Sequence, residues 1–296
     1  MRLCDLHHIP GALFGPRRSG VVTQEVSATR IGGHACEYLA ADMREGHIAS
    51  TFRHGVNVVF EEEVAPTYIS IQTPETPLHP WAIEVPVMPT RSGVGCAVRG
   101  THFAVETAGK RFELLTAARE PLRLAPYSLT SAHTASDNRV NLNRLLDKRQ
   151  PRSVEAFEDE IRAVVTQWQT TGEPEILLSL VGLGSGSTPA GDDVLVGILA
   201  GLTTLSGISA SAKRQLDALR QTVAAVSLRT HPASRQMLIA AADGSFPEPL
   251  LNLARAMGDP DPGEGLTAAA ARVLALGATS GQSFLAGLLA GFEAHS

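Results

Sequence analysis

The residues best suited to chemistry in this sequence form one short segment, residues 182–193, which reads GLGSGSTPAGDD. Gly184 and Gly186 permit positive φ angles and let a ligand approach the backbone closely. The hydroxyl donors that accompany them belong to Ser185, Ser187 and Thr188. Backbone N–H groups and hydroxyls beside a helix N-terminus bind anions. The segment therefore predicts a site for a phosphate or a carboxylate.

This segment differs from the common phosphate-binding and hydrolase signatures. It contains no Gly-Lys-Ser/Thr, so it is not a Walker A loop, and it lacks the third glycine of a Rossmann fingerprint. Ser185 and Ser187 do not complete the G-x-S-x-G pattern of a serine hydrolase. The pattern predicts anion binding without nucleotide specificity.

The end of the segment predicts the start of a helix, with Thr188 as the N-cap and Pro189 as the first helical residue. Asp192 and Asp193 are the candidate catalytic residues, because either carboxylate could act as a general base or hold Mg²⁺ against a phosphate. In the alternative interpretation both acids only stabilise the positive end of the helix dipole. Both acids also repel a bare anion, so the site needs a cation. The candidate cations are Mg²⁺, Arg229 and Arg235.

An internal repeat gives this segment a second copy. Residues 191–202 align without a gap with residues 281–292, and six of the twelve aligned positions are identical. Each copy carries two glycines four residues apart, which lie on one helix face and let another backbone come close. The pairs are Gly197 with Gly201 and Gly287 with Gly291. We predict that the two helices cross closely about an approximate two-fold axis, with both turns opening on one cleft.

The surrounding elements change character along the chain. From residue 20 to about residue 118, short β-branched or alternating runs are punctuated by glycines and prolines. After residue 126 the apolar residues recur with a helical period. We predict an α+β fold, with a β-rich domain over residues 1–130 and an α-helical domain over residues 131–296 that carries the glycine-rich turn. The predicted helices cover residues 141–149, 153–169, 189–205, 212–228, 232–242, 247–257 and 266–276.

Composition narrows the class of protein. A net charge of −5 over 296 residues gives no electrostatic footprint for nucleic acid. Three cysteines without a CxxC spacing predict neither a disulfide framework nor a zinc knuckle, and favour a reducing cytoplasm. Residues 194–212 carry no charge, but their Gly, Ser and Thr content favours a buried helix over a membrane crossing. Cys4, His7 and His8 supply only part of a metal site. We expect a cytoplasmic protein that binds neither nucleic acid nor membrane.

Four segments of the sequence resemble one bacterial protein family. They are GLGSGSTPAGDDVLVGILAGL, GATSGQSFLAGLLAGF, Thr230-x-x-x-Ser234 and Phe52-x-x-Gly-Val-Asn57. On these residues the chain is similar to the family of domains that contains AllH, and the motif Gly-Leu-Gly-x-Gly-x-Thr-Pro-x-Gly-Asp-Asp is its most specific part. Together with the turn, the predicted ligand-binding residues are Asn57, Thr230, Ser234, Ser280 and Gly281. For Asn57 the sequence favours the alternative role, a turn over residues 55–57.

The resemblance implies a subunit of oxamate carbamoyltransferase, found with allantoin-degradation genes. Such a subunit works with two other proteins to convert oxalurate and phosphate into oxamate and carbamoyl phosphate. Both phosphate and oxamate are anions, so the site must supply several donors. The Ser-Thr-Arg-Thr loop of ordinary transcarbamoylases is absent from this sequence. Two roles stay open: a carbamoyltransferase subunit active only with partner subunits, or a non-catalytic small-anion-binding or scaffolding subunit of a different metabolic complex.

Overall fold

The computed structural model describes residues 24–294 except 89–92, 102–103, 108–109, 129–133, 136, 141, 143–155 and 187. Within the described residues, ten strands form one sheet. They are β1 (Gln24–Ser27), β2 (Arg30–Gly32), β3 (Arg44–Phe52), β4 (Gly55–Phe60), β5 (Thr67–Gln72), β6 (Ala82–Glu84), β7 (Ala97–Gly100), β8 (Ala104–Thr107), β9 (Lys110–Glu113) and β10 (Ala118–Glu120).

The sheet has the order β1-β9-β8-β7-β3-β4-β5-β6-β2-β10. Strands β1 and β2 follow each other along one extended segment, which pairs with β9 through β1 and with β6 through β2. That segment therefore draws distant parts of the sheet together and curls it. The inner face buries apolar side chains such as Ile48 and Val58, and helix α1 (Gly33–Ala41) adds Leu39 to the same core.

After the sheet, a helical stretch within residues 134–142 is followed by seven helices in the described residues. They are α2 (Ala156–Thr171), α3 (Ala190–Leu205), α4 (Ala210–Val226), α5 (Pro232–Ala242), α6 (Glu248–Met257), α7 (Glu264–Leu274) and α8 (Ser280–Glu293). Short 3₁₀ turns, Pro174–Leu180 and Ser227–Arg229, precede α3 and α5. The predicted α+β fold is confirmed. Of the predicted helix over residues 141–149, only Leu142 lies within the described residues.

Helix α3 is buried from Gly191 to its end, as its uncharged sequence after the two acids favours. Its burial comes from the helices packed around it, because every side of a helix in the middle of a bundle meets a neighbour. Among the described residues, no helix combines the length and the hydropathy that a bilayer crossing requires.

Helices α3 and α8 cross at their glycine pairs. A methyl group at Gly197 would lie 2.2 Å from the Phe284 carbonyl oxygen, and a methyl group at Gly287 would lie 2.0 Å from the Val194 carbonyl oxygen. The repeat relates position 197 to 287 and position 284 to 194, so these contacts are reciprocal, as an approximate two-fold axis requires. The predicted close crossing is confirmed.

The direction of the crossing follows from the second pair of glycines. A methyl group at Gly201 would lie 3.0 Å from the Cα atom of Gly291, one helical turn beyond the contact between Gly197 and α8. Moving forward along α3 therefore means moving forward along α8. The two helices run in the same general direction, and their N-termini lie at the same end of the pair.

Arg30 fastens the sheet to the helices. Its guanidinium pairs with Glu248, the first residue of α6, at 2.8 Å, and with Glu84 and Glu120 at 3.4 and 3.5 Å. The hydrogen bond to Glu248 raises the pKa of Arg30, so this side chain stays charged. Three carboxylates around one cation hold β2, β6 and β10 against the start of α6.

Candidate functional site

The N-termini of α3 and α8 meet at one place. Thr188 lies just before α3 and Ser280 begins α8, and 3.3 Å separates their hydroxyl oxygens. In both helices the third and fourth amides from the start donate to the carbonyl of the N-cap residue, Pro189 in α3 and Thr279 in α8. The positive ends of two helix dipoles therefore lie beside the glycine-rich turn, which favours an anion there.

The predicted helix start was wrong by one residue. Pro189 occupies the N-cap with an extended backbone, and Ala190 is the first helical residue. Because the backbone leaves the helix at Pro189, the Thr188 hydroxyl faces Ser280 of the other helix. No side chain of the described residues caps α3. The Thr188 hydroxyl thus lies between the two helix ends.

The turn before α3 presents backbone donors. Gly184 and Gly186 have positive φ angles of 122° and 87°, as the sequence predicted. A methyl group at Gly184 would lie 2.7 Å from the Ala190 nitrogen, whereas one at Gly186 would meet nothing within 4 Å. Within the described residues, the N–H groups of Gly184, Ser185 and Gly186 find no backbone acceptor. Ser187, also predicted to bind the ligand, lies outside the described residues.

Asp192 is fully buried and accepts three hydrogen bonds. One carboxylate oxygen accepts the Gly182 N–H at 2.8 Å, and the other accepts the hydroxyls of Thr230 and Ser234, the latter at 2.7 Å. Hydrogen bonds to an ionised carboxylate are stronger than neutral ones. Asp192 therefore ties the glycine-rich turn to the start of α5, and Thr230 and Ser234 reach the site through it. Direct contact of these residues with a ligand stays a prediction.

Asp193 has a different environment. It is 3% exposed, and its Oδ2 has no hydrogen-bond partner among the described residues. Burial raises the pKa of Asp193 to about 7, against a hydrogen bond with Ser280 that lowers it and with a further increase from the charge of Asp192. Asp193 thus titrates near neutral pH where two helix N-termini meet. A carboxyl group with this pKa can both donate and accept a proton in a reaction.

The second copy of the turn is shorter than the first. Gly281 donates its N–H to the Leu276 carbonyl at 3.0 Å, and its counterpart Gly191 donates to the Leu183 carbonyl at 2.8 Å, so the first copy contains three more residues between these points. A methyl group at Gly281 would lie 2.1 Å from the Val273 carbonyl oxygen. Gly281 therefore allows α8 to pack closely, and its N–H is already bonded.

Asn57 lies in the sheet, and the turn predicted for residues 55–57 was wrong. These residues belong to β4, and the turn falls one step earlier, at residues 53–54. Gly55 begins the strand because a methyl group there would lie 2.4 Å from the Ile71 carbonyl oxygen of β5. The glycine thus permits close strand pairing, and the β-branched residues that follow it favour a strand.

A row of polar side chains surrounds Asn57 on the outer face of the sheet. Asn57 accepts a hydrogen bond from Ser70 at 2.8 Å and donates one to Ser50 at 2.9 Å. His79 Nε2 lies 3.1 Å from the Ser70 oxygen, and burial lowers the pKa of His79 to about 4, which keeps it neutral at pH 7. The residues satisfy one another, and a direct role of Asn57 in ligand binding stays a prediction.

Two arginines near the start of α5 were predicted as cations for the site. Arg229 donates to the Leu178 carbonyl, in the 3₁₀ turn that leads into the glycine-rich segment. Arg235 is half-buried, and its Nε is buried without a hydrogen-bond partner among the described residues. Arg235 follows Ser234, which donates to Asp192. Of the two, Arg235 is the arginine with an uncommitted buried donor.

The site's capacity for a metal is limited. No group of three or more His, Cys, Asp or Glu side chains within the described residues could hold a metal ion. Asp192 uses both oxygens on protein donors, which leaves Asp193 Oδ2 as the uncommitted carboxylate oxygen. Mg²⁺ commonly takes one or two carboxylates together with substrate phosphate, so Mg²⁺ here would depend on the ligand. The sequence candidates Cys4, His7 and His8 lie outside the described residues.

Comparison with known proteins gives one finding. The family model described as oxamate carbamoyltransferase subunit AllH matches residues 180–292. The matched residues contain the glycine-rich turn and its shorter repeat, together with Asp192 and Asp193. No curated protein and no solved structure gave a significant match.

Proposed function

We propose that this chain, whose residues 180–292 match the AllH family model, is a subunit of an oxamate carbamoyltransferase. The reaction is the conversion of oxalurate and phosphate into oxamate and carbamoyl phosphate. The observation that carries the proposal is Asp193, a buried carboxyl with a free oxygen and a pKa of about 7 where α3 and α8 begin. That arrangement suits both an anionic substrate and a proton transfer.

The phosphate subsite is the turn before α3. Its donors are the amides of Gly184, Ser185 and Gly186 and the hydroxyls of Thr188 and Ser280. Two helix dipoles add positive potential. Protonated Asp193 does not repel the anion, and its O–H is a further donor. The two acids therefore repel an anion less in the fold, because Asp193 is uncharged when protonated and three hydrogen bonds stabilise the charge of Asp192.

The proton chemistry follows from the balance of the reaction. A phosphate oxygen attacks the terminal carbamoyl carbon of oxalurate, and the bond from that carbon to the oxamate nitrogen breaks. The electron pair goes to the nitrogen, which takes the proton of Asp193. The hydroxyl proton that the attacking phosphate loses restores the acid. In the reverse direction the Asp193 carboxylate takes a proton from oxamate, as a general base.

The site is incomplete as a transferase for two anions. The nearest basic residues in sequence to residues 182–193 are Arg162 and Lys213. Arg229 is committed to the Leu178 carbonyl, which leaves Arg235 alone of the two predicted cations. Transition-state charge in such reactions is usually stabilised by several oriented donors and cations. We therefore propose that partner subunits complete the site and that the chain alone has no turnover.

A test of the phosphate subsite uses the isolated chain. Phosphate at a hundred times its dissociation constant should raise the free energy of unfolding by about 2.7 kcal/mol by mass action. Gly186→Val should abolish this response, because a branched side chain at φ 87° distorts the turn that presents the amides. Thermal unfolding across a phosphate titration measures the effect, with sodium chloride at equal ionic strength as the reference.

The matched control is Gly263→Val. Gly263 also has a positive φ, 47°, and a methyl group there would likewise meet nothing within 4 Å, but it lies before α7. This variant should carry similar backbone strain and keep the phosphate response. An equal response in wild type and both variants would place phosphate binding elsewhere and contradict the subsite.

A further inference from the structure

Arg235 and Gln236 are adjacent residues of α5 with unused buried donors. Arg235 Nε and Gln236 Nε2 are both buried, and neither has a hydrogen-bond partner among the described residues. Leaving a buried donor unpaired costs free energy, so most such groups in folded proteins are paired. Two unpaired donors side by side indicate a ligand that supplies acceptors.

The contacts of neighbouring residues locate these donors. Ser234 points toward α3, where it donates to Asp192. Gln236 points toward the sheet, where its Oε1 accepts the Tyr68 N–H at 2.6 Å. Successive residues of a helix point about 100° apart, so Arg235 lies between these two directions. Its half-buried side chain therefore lies on the side of α5 between the contact of Ser234 with α3 and the contact of Gln236 with β5.

The residues around Arg235 and Gln236 belong to both parts of the fold. The rings of Tyr68 in β5 and His231 at the start of α5 lie 5.7 Å apart. Trp81 donates its indole N–H to the Gln236 carbonyl at 3.2 Å, which fixes α5 against the sheet. Gln236 is thus held at the sheet two residues after Ser234, which donates to the Asp192 carboxylate.

We propose that Arg235, assisted by Gln236 Nε2, binds the carboxylate of a small α-oxo acid amide beside α5, between α3 and β5. The proposal deepens the proposed function, on which it rests, by assigning a second anion subsite next to the phosphate subsite. One guanidinium matches the single negative charge of a carboxylate, and its planar array of donors fits the two carboxylate oxygens. The doubly charged phosphate has its own donors at the two helix ends.

Oxamate binding to the full chain tests the assignment, measured by isothermal titration calorimetry. Arg235→Gln should weaken oxamate binding about ten- to a hundredfold, the usual effect of losing a charge-assisted hydrogen bond. Arg235→Lys should recover only part of the affinity, since lysine keeps the charge but has no donor at the Nε position. Thermal unfolding without ligand should change little in Arg235→Gln, because the replaced Nε donor has no protein partner to lose. A purely structural arginine would show the opposite pattern.

The matched control is Arg214→Gln, an exposed arginine of α4, which should leave oxamate affinity unchanged. Equal oxamate affinity in wild type and Arg235→Gln would overturn the proposal, as would an absence of oxamate binding by the wild type. Loss of the phosphate response with unchanged oxamate affinity would place Arg235 in the phosphate subsite and also overturn it. Arg235-dependent oxamate binding without any phosphate response would support this carboxylate subsite. It would also contradict the phosphate subsite on which the proposed function depends.

Discussion

Asp193→Asn is expected to stabilise the protein at pH 8 while disabling the reaction. Folding moves the pKa of Asp193 from 3.8 to about 7, mainly through burial. At about 1.4 kcal/mol for each pKa unit, burying the ionised carboxylate costs roughly 4 kcal/mol above pH 7. Asparagine removes that cost, less the smaller cost of leaving its amide unbonded. In the complex with partner subunits, loss of the proton donor should lower the rate about 10²- to 10⁴-fold.

The sign of the pH dependence distinguishes this group from an ordinary surface acid. Below about pH 4 the carboxyl is protonated in both states, and its contribution to stability is fully present. Between pH 4 and 7 the folded protein retains a proton that the unfolded chain has lost, so the free energy of unfolding falls as the pH rises. Above pH 7 both states are ionised and the loss is complete.

Denaturant unfolding of wild type and Asp193→Asn at intervals from pH 4 to 8 measures this dependence. The difference between the two proteins should grow in favour of the variant across that range. Asp217→Asn is the control, because Asp217 is paired with Lys213, which lowers the pKa of this exposed acid. A difference between wild type and Asp193→Asn that stays constant with pH would show that the folded protein does not hold Asp193 as a buried acid.

Gly197→Ala is expected to lower the free energy of unfolding by about 3 kcal/mol, the upper part of the usual range for overpacking. The new methyl group would lie 2.2 Å from the Phe284 carbonyl oxygen and 2.7 Å from the Leu288 nitrogen. Both are backbone atoms, so no side-chain rotation can relieve the clash. Alanine's advantage in helix propensity, about 1 kcal/mol, is too small to compensate. Displacement of α8 should also separate Ser280 from Thr188 and weaken the phosphate response.

Gly265→Ala is the matched control for this substitution. Gly265 lies in α7, where a methyl group would meet nothing within 4 Å. The control should therefore be as stable as the wild type or more stable, through helix propensity alone. Unfolding curves in urea compare the two variants. If Gly197→Ala were as stable as Gly265→Ala, the close crossing of α3 and α8 would be refuted.

The close pairing of α3 and α8 could be predicted from sequence because the residues that cause it lie within the two helices. Glycines four residues apart, at Gly197 and Gly201 and again at Gly287 and Gly291, lower the helix propensity of each segment. Close packing of the two helices compensates for this loss. The repeat then predicts reciprocal contacts without further information. The glycine-rich turn was predictable for the same reason, since positive φ at Gly184 and Gly186 depends on local conformation.

The different environments of the two acids were not predictable from sequence. Asp192 and Asp193 are adjacent and chemically identical, and their difference arises from residues distant in the chain. Thr230 and Ser234 bond to Asp192, whereas Ser280 approaches Asp193. Periodicity places both acids in the first turn of α3 but does not identify their partners on α5 and α8.

The turn predicted at residues 55–57 and the unused donor of Gln236 show a second limit of prediction from sequence: packing partners that are distant in the chain. Gly55 was assigned to a turn because glycine is typical of turns, but here it admits the backbone of β5. Gln236 could not be identified from the sequence as a candidate ligand-binding residue, because a single glutamine in a helix is common and its contacts depend on the fold. Its importance depends on Tyr68 and Trp81, which only the fold brings to it.

The dependence of carbamoyl transfer on Asp193 and on partner subunits is tested by measuring the carbamoyl phosphate formed from oxalurate and phosphate. The chain alone, its partner subunits alone and the complete complex should be assayed side by side, each with wild-type protein and with Asp193→Asn. Product is expected only from the complex that contains the wild-type chain, with assembly of the Asp193→Asn complex confirmed by size-exclusion chromatography. Undiminished product without this chain, or robust turnover by the isolated chain, would contradict that dependence.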